Sequence, residues 1–169
     1  MRVLLSTYGS RGDVEPMVGL AVQLQALGAE VQVCAPPDEE FAELLGSAGV
    51  PLVKFGRSWS SWLGVRPSTA EERIRRLAEF MTSWYDTLAV AAEGCDVLLA
   101  TGQSLFVARS VAEKAAIPHR CAAFCPSLLI DPDAQSRNAR FGAPINTHRA
   151  SIDLPPVDDV REFMYTDHP

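Results

Sequence analysis

The chain has 169 residues, of which 47% are hydrophobic and 21% charged, and its net charge is -6. This length and composition suit one globular domain with its own apolar core and exclude a disordered or fibrous chain. The acidic balance argues against a nucleic-acid surface, which needs clustered Lys and Arg, and no apolar run approaches the roughly 18 residues of a membrane span. With no leader-like segment before the first strand, we expect a cytoplasmic protein.

Short apolar runs alternate with longer amphipathic segments along the chain. In chain order the patterns predict a strand at 2–7, a helix at 14–28, a strand at 29–35, a helix at 38–49, a strand at 51–55, a helix from 68 to about 93, a strand at 96–101, a helix at 105–116 and a strand within 117–124. Gly28 supplies a stop signal for the first helix, and the Ser68–Glu72 segment resembles a capping box. Residues 163–165 are a candidate last strand. Strand–helix alternation of this kind predicts an α/β domain with a mostly parallel sheet.

Loops that follow the strands are the candidate ligand-binding segments, because ligands of parallel sheets bind beyond the carboxyl ends of the strands. These loops are residues 8–13, 35–38, 56–67, 101–104 and 125–133. Residues 56–67 and 127–141 show no regular pattern, so both are expected to be mobile loops.

The segment YGSRGDVEP (8–16) places a glycine loop at the predicted start of the first helix. It lacks the G-x-G-x-x-G spacing of dinucleotide sites and the Gly-Lys-Ser/Thr of a Walker loop. A strand–loop–helix turn still directs backbone N–H groups toward an anion, and Ser10 and Arg11 suit phosphate oxygens. The alternative is that Gly9 and Gly12 only make a turn and Arg11 is solvated. The loop chemistry favours neither interpretation.

Asp13 is an acidic residue near the expected start of this helix, where Asp is a favoured N-cap. If Asp13 is the N-cap, the N3 residue is Pro16, which has no N–H, and only the Glu15 amide remains to be capped. The loss of one capping partner modestly favours a carboxylate that is free to face a ligand-binding cleft over one that caps the helix.

Histidines and cysteines in this sequence do not form a convincing metal site. Cys34 and Cys121 lie in apolar runs as core residues do, and no second Cys pair or nearby His completes a zinc site. His119, His148 and His168 lie away from the strand-end loops, so structural roles are expected for them.

Several segments together resemble the N-terminal half of the glycopeptide-antibiotic glycosyltransferases of the vancomycin-aglycone type. They run in order over nearly the whole chain: MRVLLSTYGSRGDVEP, LGAEVQVCAPPD, GVPLVKFG, AAEGCDVLLATG, VARSVAEKAAIPHRCAAFCPS, NTHRASIDLPPVDDV and YTDHP. The resemblance implies a Rossmann-like α/β domain that is one half of a GT-B fold. Residues 1–169 would be the N-terminal, acceptor-binding domain, and the C-terminal nucleotide-sugar domain is not in this sequence.

The activity implied by the resemblance is inverting transfer of a hexose from a UDP- or TDP-sugar to a hydroxyl of a glycopeptide or other natural-product aglycone, with no metal or other cofactor. Asp13 falls on the family's proposed general base. Ser10, Arg11 and Gly12 fall on the loop that contacts the donor diphosphate. Related enzymes often carry a catalytic His in this loop, which this chain lacks. The segment 127–142 is also shorter than the family's acceptor-side loop.

Candidate acceptor contacts are the residues of the strand-end loops, namely Trp59, Trp62, Thr101, Gln103, Cys125 and Pro126. The two tryptophans have an equally good alternative, which is packing over the domain's own edge. A hexosyltransferase is the favoured function, and the domain alone is expected to be inactive. The alternative is a non-catalytic Rossmann-like module that binds a nucleotide or another ligand, because fold alone does not decide function.

Overall fold

The computed structural model describes residues 1–63, 69–124 and 134–169. Its strands are β1 (Arg2–Tyr8), β2 (Glu30–Ala35), β3 (Leu52–Lys54), β4 (Val97–Gly102) and β5 (His119–Cys121). Its helices are α1 (Arg11–Ala26), α2 (Glu39–Ser47), α3 (Trp59–Leu63), α4 (Ala70–Ala91), α5 (Leu105–Ala115), α6 (Ala134–Ser151) and α7 (Val160–Tyr165). The alternation predicted from the sequence is confirmed.

The strands form one sheet in the order β3-β2-β1-β4-β5, and every pair is parallel. The central strand β1 is buried along its length after Arg2, which explains its continuous apolar run. Its residues alternate between two core layers, with Leu5 packed among residues of α1 and α2 and Leu4 among residues of α4 and α5. The sheet is therefore covered on both faces.

Neighbouring strands β1 and β4 end side by side, with Tyr8 paired to Gly102. The Gln103 amide donates to the Tyr8 carbonyl at 2.9 Å and joins the two loops that follow. The glycine loop and the β4–α5 loop therefore meet at the carboxyl edge of the sheet.

Two helix termini follow the sequence signals closely. Gly28 comes directly after the last turn of α1 with a φ of +85°, as expected of a helix stop. The Thr69 side chain accepts a hydrogen bond from the Glu72 amide at 3.1 Å and caps α4. Within the described residues, none of the helices is long and apolar enough to cross a membrane.

Three sequence expectations are wrong in local detail. Residues 59–63 form the short helix α3 inside the expected 56–67 loop, and residues 134–141 belong to α6 rather than to a loop. Residues 163–165 lie in α7 rather than in a strand. Asp159 explains the last difference, because its carboxylate accepts from the Arg161 and Glu162 amides at 2.7 and 3.0 Å and starts a helix.

Candidate active site

A cavity of about 740 Å³ lies at the carboxyl edge of the sheet, within the size range of small-molecule sites. Its wall is built from the β1–α1 junction (Tyr8, Gly9, Asp13), α3 (Trp59), the β4–α5 junction (Gly102, Gln103, Phe106), α4 (Ile74, Arg76, Leu77), α6 (Arg137, Ala139, Arg140, Phe141) and α7 (Met164, Tyr165). The ends of β1 and β4 and several helices thus contribute to one cavity.

Asp13 lies in this wall, but its helix position is not the N-cap position considered from the sequence. Helix α1 begins at Arg11, its N-cap is Ser10, and Asp13 is the N3 residue. The Ser10 amide donates to Asp13 Oδ2 at 2.8 Å, and the Ser10 hydroxyl does so at 3.1 Å. The carboxylate therefore stabilises the start of the helix from N3, as in a capping box, and the Pro16 argument no longer applies.

The second carboxylate oxygen of Asp13 is differently placed. Among the described residues, Oδ1 accepts no hydrogen bond from the protein. It lies toward Gly102, where an added Cβ would stand 3.3 Å away. One oxygen of the same carboxylate thus holds the helix terminus, while the other remains available to a ligand.

Two glycines make room for this carboxylate. A Cβ on Gly9 would overlap Asp13 Oδ2 and come within 2.6 Å of Asp13 Cγ. Gly102 has a φ of +63°, and its Cβ would lie 2.9 Å from the Tyr8 carbonyl oxygen. A side chain at either position would therefore displace Asp13 or one of the strand ends beside it.

The residues expected at a donor diphosphate lie beside the cavity on the first turn of α1. Ser10 and Gly12 are exposed there, and the Arg11 side chain pairs with Glu15 at 3.0 Å across one helical turn. The first amides of a helix have no partner inside it, so those of Arg11 and Gly12 suit an anion above the sheet. The Arg11 guanidinium is held toward Glu15 on the outer surface of α1.

Trp59 and Gln103 are the predicted acceptor residues that line the cavity. The Trp59 ring meets the buried Tyr8 ring edge to face, with centroids 5.8 Å apart. Thr101 is fully buried in β4 and lies outside the cavity wall, so its side chain does not take the acceptor-contact position expected from the sequence. Trp62 belongs to α3, but its side chain lies outside the described part of the structure, as do Cys125 and Pro126.

A family comparison identifies the class of domain that carries this site. Residues 3–129 match the model of the glycosyltransferase family 28 N-terminal domain, which is well over half of the chain. The chain belongs to this family. The strand-end loops and α4 of the cavity wall lie within the matched residues, whereas α6 and α7 follow them in the chain.

Curated relatives of this family 28 domain include two proteins of Amycolatopsis orientalis. The glycosyltransferase GtfE is 43% identical over 198 residues, and the vancomycin aglycone glucosyltransferase is 41% identical over 196 residues. Both matches cover all of this chain and 48% of the relative, so the chain spans about half the length of the curated relatives it matches.

Solved structures show the same fold at lower sequence identity. The glycosyltransferase SsfS6 of Streptomyces sp. SF2575 superposes with a TM-score of 0.67 at 23% identity, over 94% of this chain and 48% of that protein. The mostly parallel sheet and its flanking helices are thus those of GT-B glycosyltransferases.

Sequence reasoning missed the helical side of the cavity. Arg137, Arg140 and Phe141 share one face of α6 at helical spacing, and Arg137 donates to the Tyr165 hydroxyl at 2.9 Å. Arg76 on α4 pairs with Glu72 at 2.7 Å. A helix prediction for 134–142 would have revealed the shared face of α6, whereas its approach to α4 and α7 is a tertiary contact.

The histidines of the family 28 domain lie outside the cavity wall. His119 is fully buried in β5, and burial, together with Arg109, lowers its pKa to about 4. Burial also lowers the pKa of His148, which packs against the Tyr85 ring. Within the described residues, no group of three or more His, Cys, Asp or Glu side chains is arranged to hold a metal ion.

Proposed function

We propose that the full-length protein is an inverting glycosyltransferase that moves a hexose from a UDP- or TDP-sugar to a hydroxyl of a natural-product aglycone. The observation that carries the proposal is the position of Asp13, which lines a ligand-sized cavity and whose Oδ1 accepts no hydrogen bond from the described protein. The names of the relatives support this reaction class, since one acts on the vancomycin aglycone as a glucosyltransferase.

Asp13 is the proposed general base. A carboxylate removes the proton of the acceptor hydroxyl as the new glycosidic bond forms, so a strong base is not required. The acceptor oxygen then attacks the anomeric carbon from the face opposite the leaving nucleoside diphosphate, and the configuration at that carbon inverts. The second oxygen of Asp13 keeps the side chain in place through Ser10.

The leaving group gains negative charge on the other side of the cleft. Ser10, Arg11 and Gly12 are the proposed donor contacts from this domain, through the hydroxyl, the guanidinium and the first amides of α1. To reach a diphosphate, the Arg11 side chain exchanges its Glu15 partner for phosphate oxygens, which are stronger acceptors. Most of the donor site is proposed to belong to a C-terminal domain outside this chain.

The acceptor occupies the cavity in this proposal. Trp59 and Gln103 line the cavity and are proposed acceptor contacts, with Trp62, Cys125 and Pro126 as further proposed contacts. No metal takes part, because helix amides and Arg11 supply the positive potential that a divalent cation provides in other phosphate sites. Cys34, Cys95 and Cys121 are free thiols, which suits the reducing cytoplasm proposed for the enzyme.

A transfer assay of the full-length protein tests the proposal. The protein is incubated with a panel of UDP- and TDP-sugars and natural-product aglycones, and products are detected by mass and by the anomeric coupling in NMR. The expected result is a product heavier by one hexose with inverted configuration. Saturable binding of a nucleotide or aglycone with no transfer across the panel would instead support a non-catalytic binding module, and a retained configuration would exclude the single-displacement mechanism.

A further inference from the structure

We propose that Asp38 is a positioning residue that holds Trp59 in the wall of the acceptor cavity, an inference that rests on the proposed acceptor role of that cavity. Asp38 follows β2 and is the N-cap residue of α2, yet its side chain makes no capping bond to that helix. The carboxylate instead extends across to the segment that begins α3.

Three donors from the α3 segment converge on this one carboxylate. The Trp59 amide donates to Oδ2 at 2.6 Å, the Ser58 hydroxyl to Oδ1 at 2.7 Å and the Ser60 amide to Oδ1 at 3.2 Å. Asp38 therefore caps a helix about twenty positions away in the chain rather than its own. Because α3 has only 5 residues, it has little stability of its own and depends on such tertiary contacts.

The charge state of Asp38 suits this role. Partial burial acts to raise the pKa of its carboxyl, but the hydrogen bonds from Trp59, Ser58 and Ser60 outweigh that effect and leave the pKa below its ordinary value. The side chain is thus a carboxylate at neutral pH, and both of its oxygens are used as acceptors.

The same segment is held at a second point by Tyr8. The Tyr8 hydroxyl donates to the Arg57 carbonyl at 3.0 Å, and the Tyr8 ring contacts the edge of Trp59. Burial, followed by the negative charge of Asp38, raises the pKa of Tyr8 to about 12, so this hydroxyl keeps its proton. Asp38 holds the Trp59 backbone and Tyr8 holds its ring, which together set the direction in which the indole faces the cavity.

Two variants of the full-length enzyme test this role. Asp38→Ala removes all three hydrogen bonds that the carboxylate accepts. The position of Trp59 seen in the structure then becomes a minor population, and the KM for the sugar acceptor rises by roughly 3- to 30-fold. Asp38→Asn keeps one acceptor oxygen but places an NH₂ group against a donor, so its KM is expected between wild type and Asp38→Ala. The kcat of both variants is expected within about twofold of wild type, because Asp38 touches no reacting atom.

A spectroscopic readout separates positioning from general destabilisation. With 5-fluorotryptophan labelling, the Trp59 signal, assigned through Trp59→Phe, should shift or broaden in Asp38→Ala and partly recover in Asp38→Asn. Asp96→Ala is the matched control, since Asp96 also accepts a backbone amide, that of Arg2 at 2.7 Å, but does so at the opposite edge of the sheet. It should leave the Trp59 signal and the acceptor KM unchanged.

The possible outcomes distinguish this inference from the proposed function. If wild type transfers sugar and Asp38→Ala keeps the acceptor KM and the Trp59 signal, the positioning role is wrong while the enzyme assignment stands. The same conclusion follows if Asp96→Ala raises KM as much as Asp38→Ala does. If wild type transfers no sugar to any acceptor, the proposed function fails, and the positioning role fails with it.

Discussion

Replacing Asp13 with Asn separates the two roles of this side chain. Asp13 Oδ2 accepts from the Ser10 amide and hydroxyl, and the single carbonyl oxygen of Asn is able to accept from both. Asn is also nearly the same size, so it fits beside Gly9, where no extra atom is tolerated. The substitution therefore keeps the start of α1 and places an NH₂ group where Oδ1 lies.

The expected cost in stability is small. The lost interaction is that of a negative charge with the helix N-terminus, worth about 0.3–1 kcal/mol at an exposed site. For a domain of this size that corresponds to a melting shift of at most about 4 °C. An amide has no basic lone pair for the acceptor proton, so turnover should fall by about 10²–10⁴, a barrier increase of roughly 3–5 kcal/mol.

The assay is steady-state turnover of the full-length enzyme with saturating donor and acceptor, beside a thermal melt of the same sample. Glu39→Gln is the matched control, because it makes the same carboxylate-to-amide change in the first turn of α2, outside the cavity wall. It should leave turnover unchanged. Full activity of Asp13→Asn with an unchanged melt would refute the base assignment and leave only the helix-capping role.

The remaining predictions concern the donor loop, a buried ion pair and a buried histidine. Arg11→Ala should raise the donor KM about tenfold and leave the acceptor KM unchanged, because a charge-assisted phosphate contact is lost; an unaltered donor titration would contradict that contact. Arg149 is 2% exposed and pairs with Glu113 at 2.8 Å, so Arg149→Leu should destabilise the domain by about 3 kcal/mol in urea unfolding, because the Glu113 carboxylate loses its buried partner and, among the described residues, keeps only Arg109. A loss below about 1 kcal/mol would count against a structural role for Arg149. His119 has a pKa of about 4 when folded against an ordinary 6.5, so the unfolded chain binds more protons between these values and stability falls by about 3 kcal/mol as the pH drops from 7 to 4. The fall in stability should be smaller in His119→Gln. If the urea midpoints of wild type and His119→Gln change in parallel over this pH range, the pH dependence does not come from His119.

The sheet and its order of elements follow from local sequence patterns. Residues 2–7 and 96–101 are continuous apolar runs because β1 and β4 are buried inside a two-sided parallel sheet, and this burial is visible in composition alone. Gly28 marks a helix end because few other residues adopt its positive φ without strain. The ligand-binding edge of the sheet follows from the same patterns, since parallel strands place all their carboxyl ends together.

The start of a helix proved less predictable than its existence. The helical apolar pattern begins at Val14, yet α1 begins at Arg11. The reason is that the Ser10 amide donates to the Asp13 carboxylate, an interaction that a hydrophobic pattern does not reveal. Helix α7 illustrates the same point: residues 163–165 suit a strand as well as a helix, and the Asp159 cap decides between them.

The helical half of the cavity was determined only by tertiary structure. The sequence marks Asp13 as chemically interesting, but it does not show that Trp59 approaches Tyr8, that α6 turns Arg140 toward the same space, or that Asp38 caps α3 from another loop. These arrangements bring together residues that lie from about 20 to more than 100 positions apart in the chain, and each depends on side-chain geometry after the sheet and helices have packed. Local propensity acts over a few residues, so it specifies the elements, whereas the shape and chemistry of the cavity arise where the elements meet.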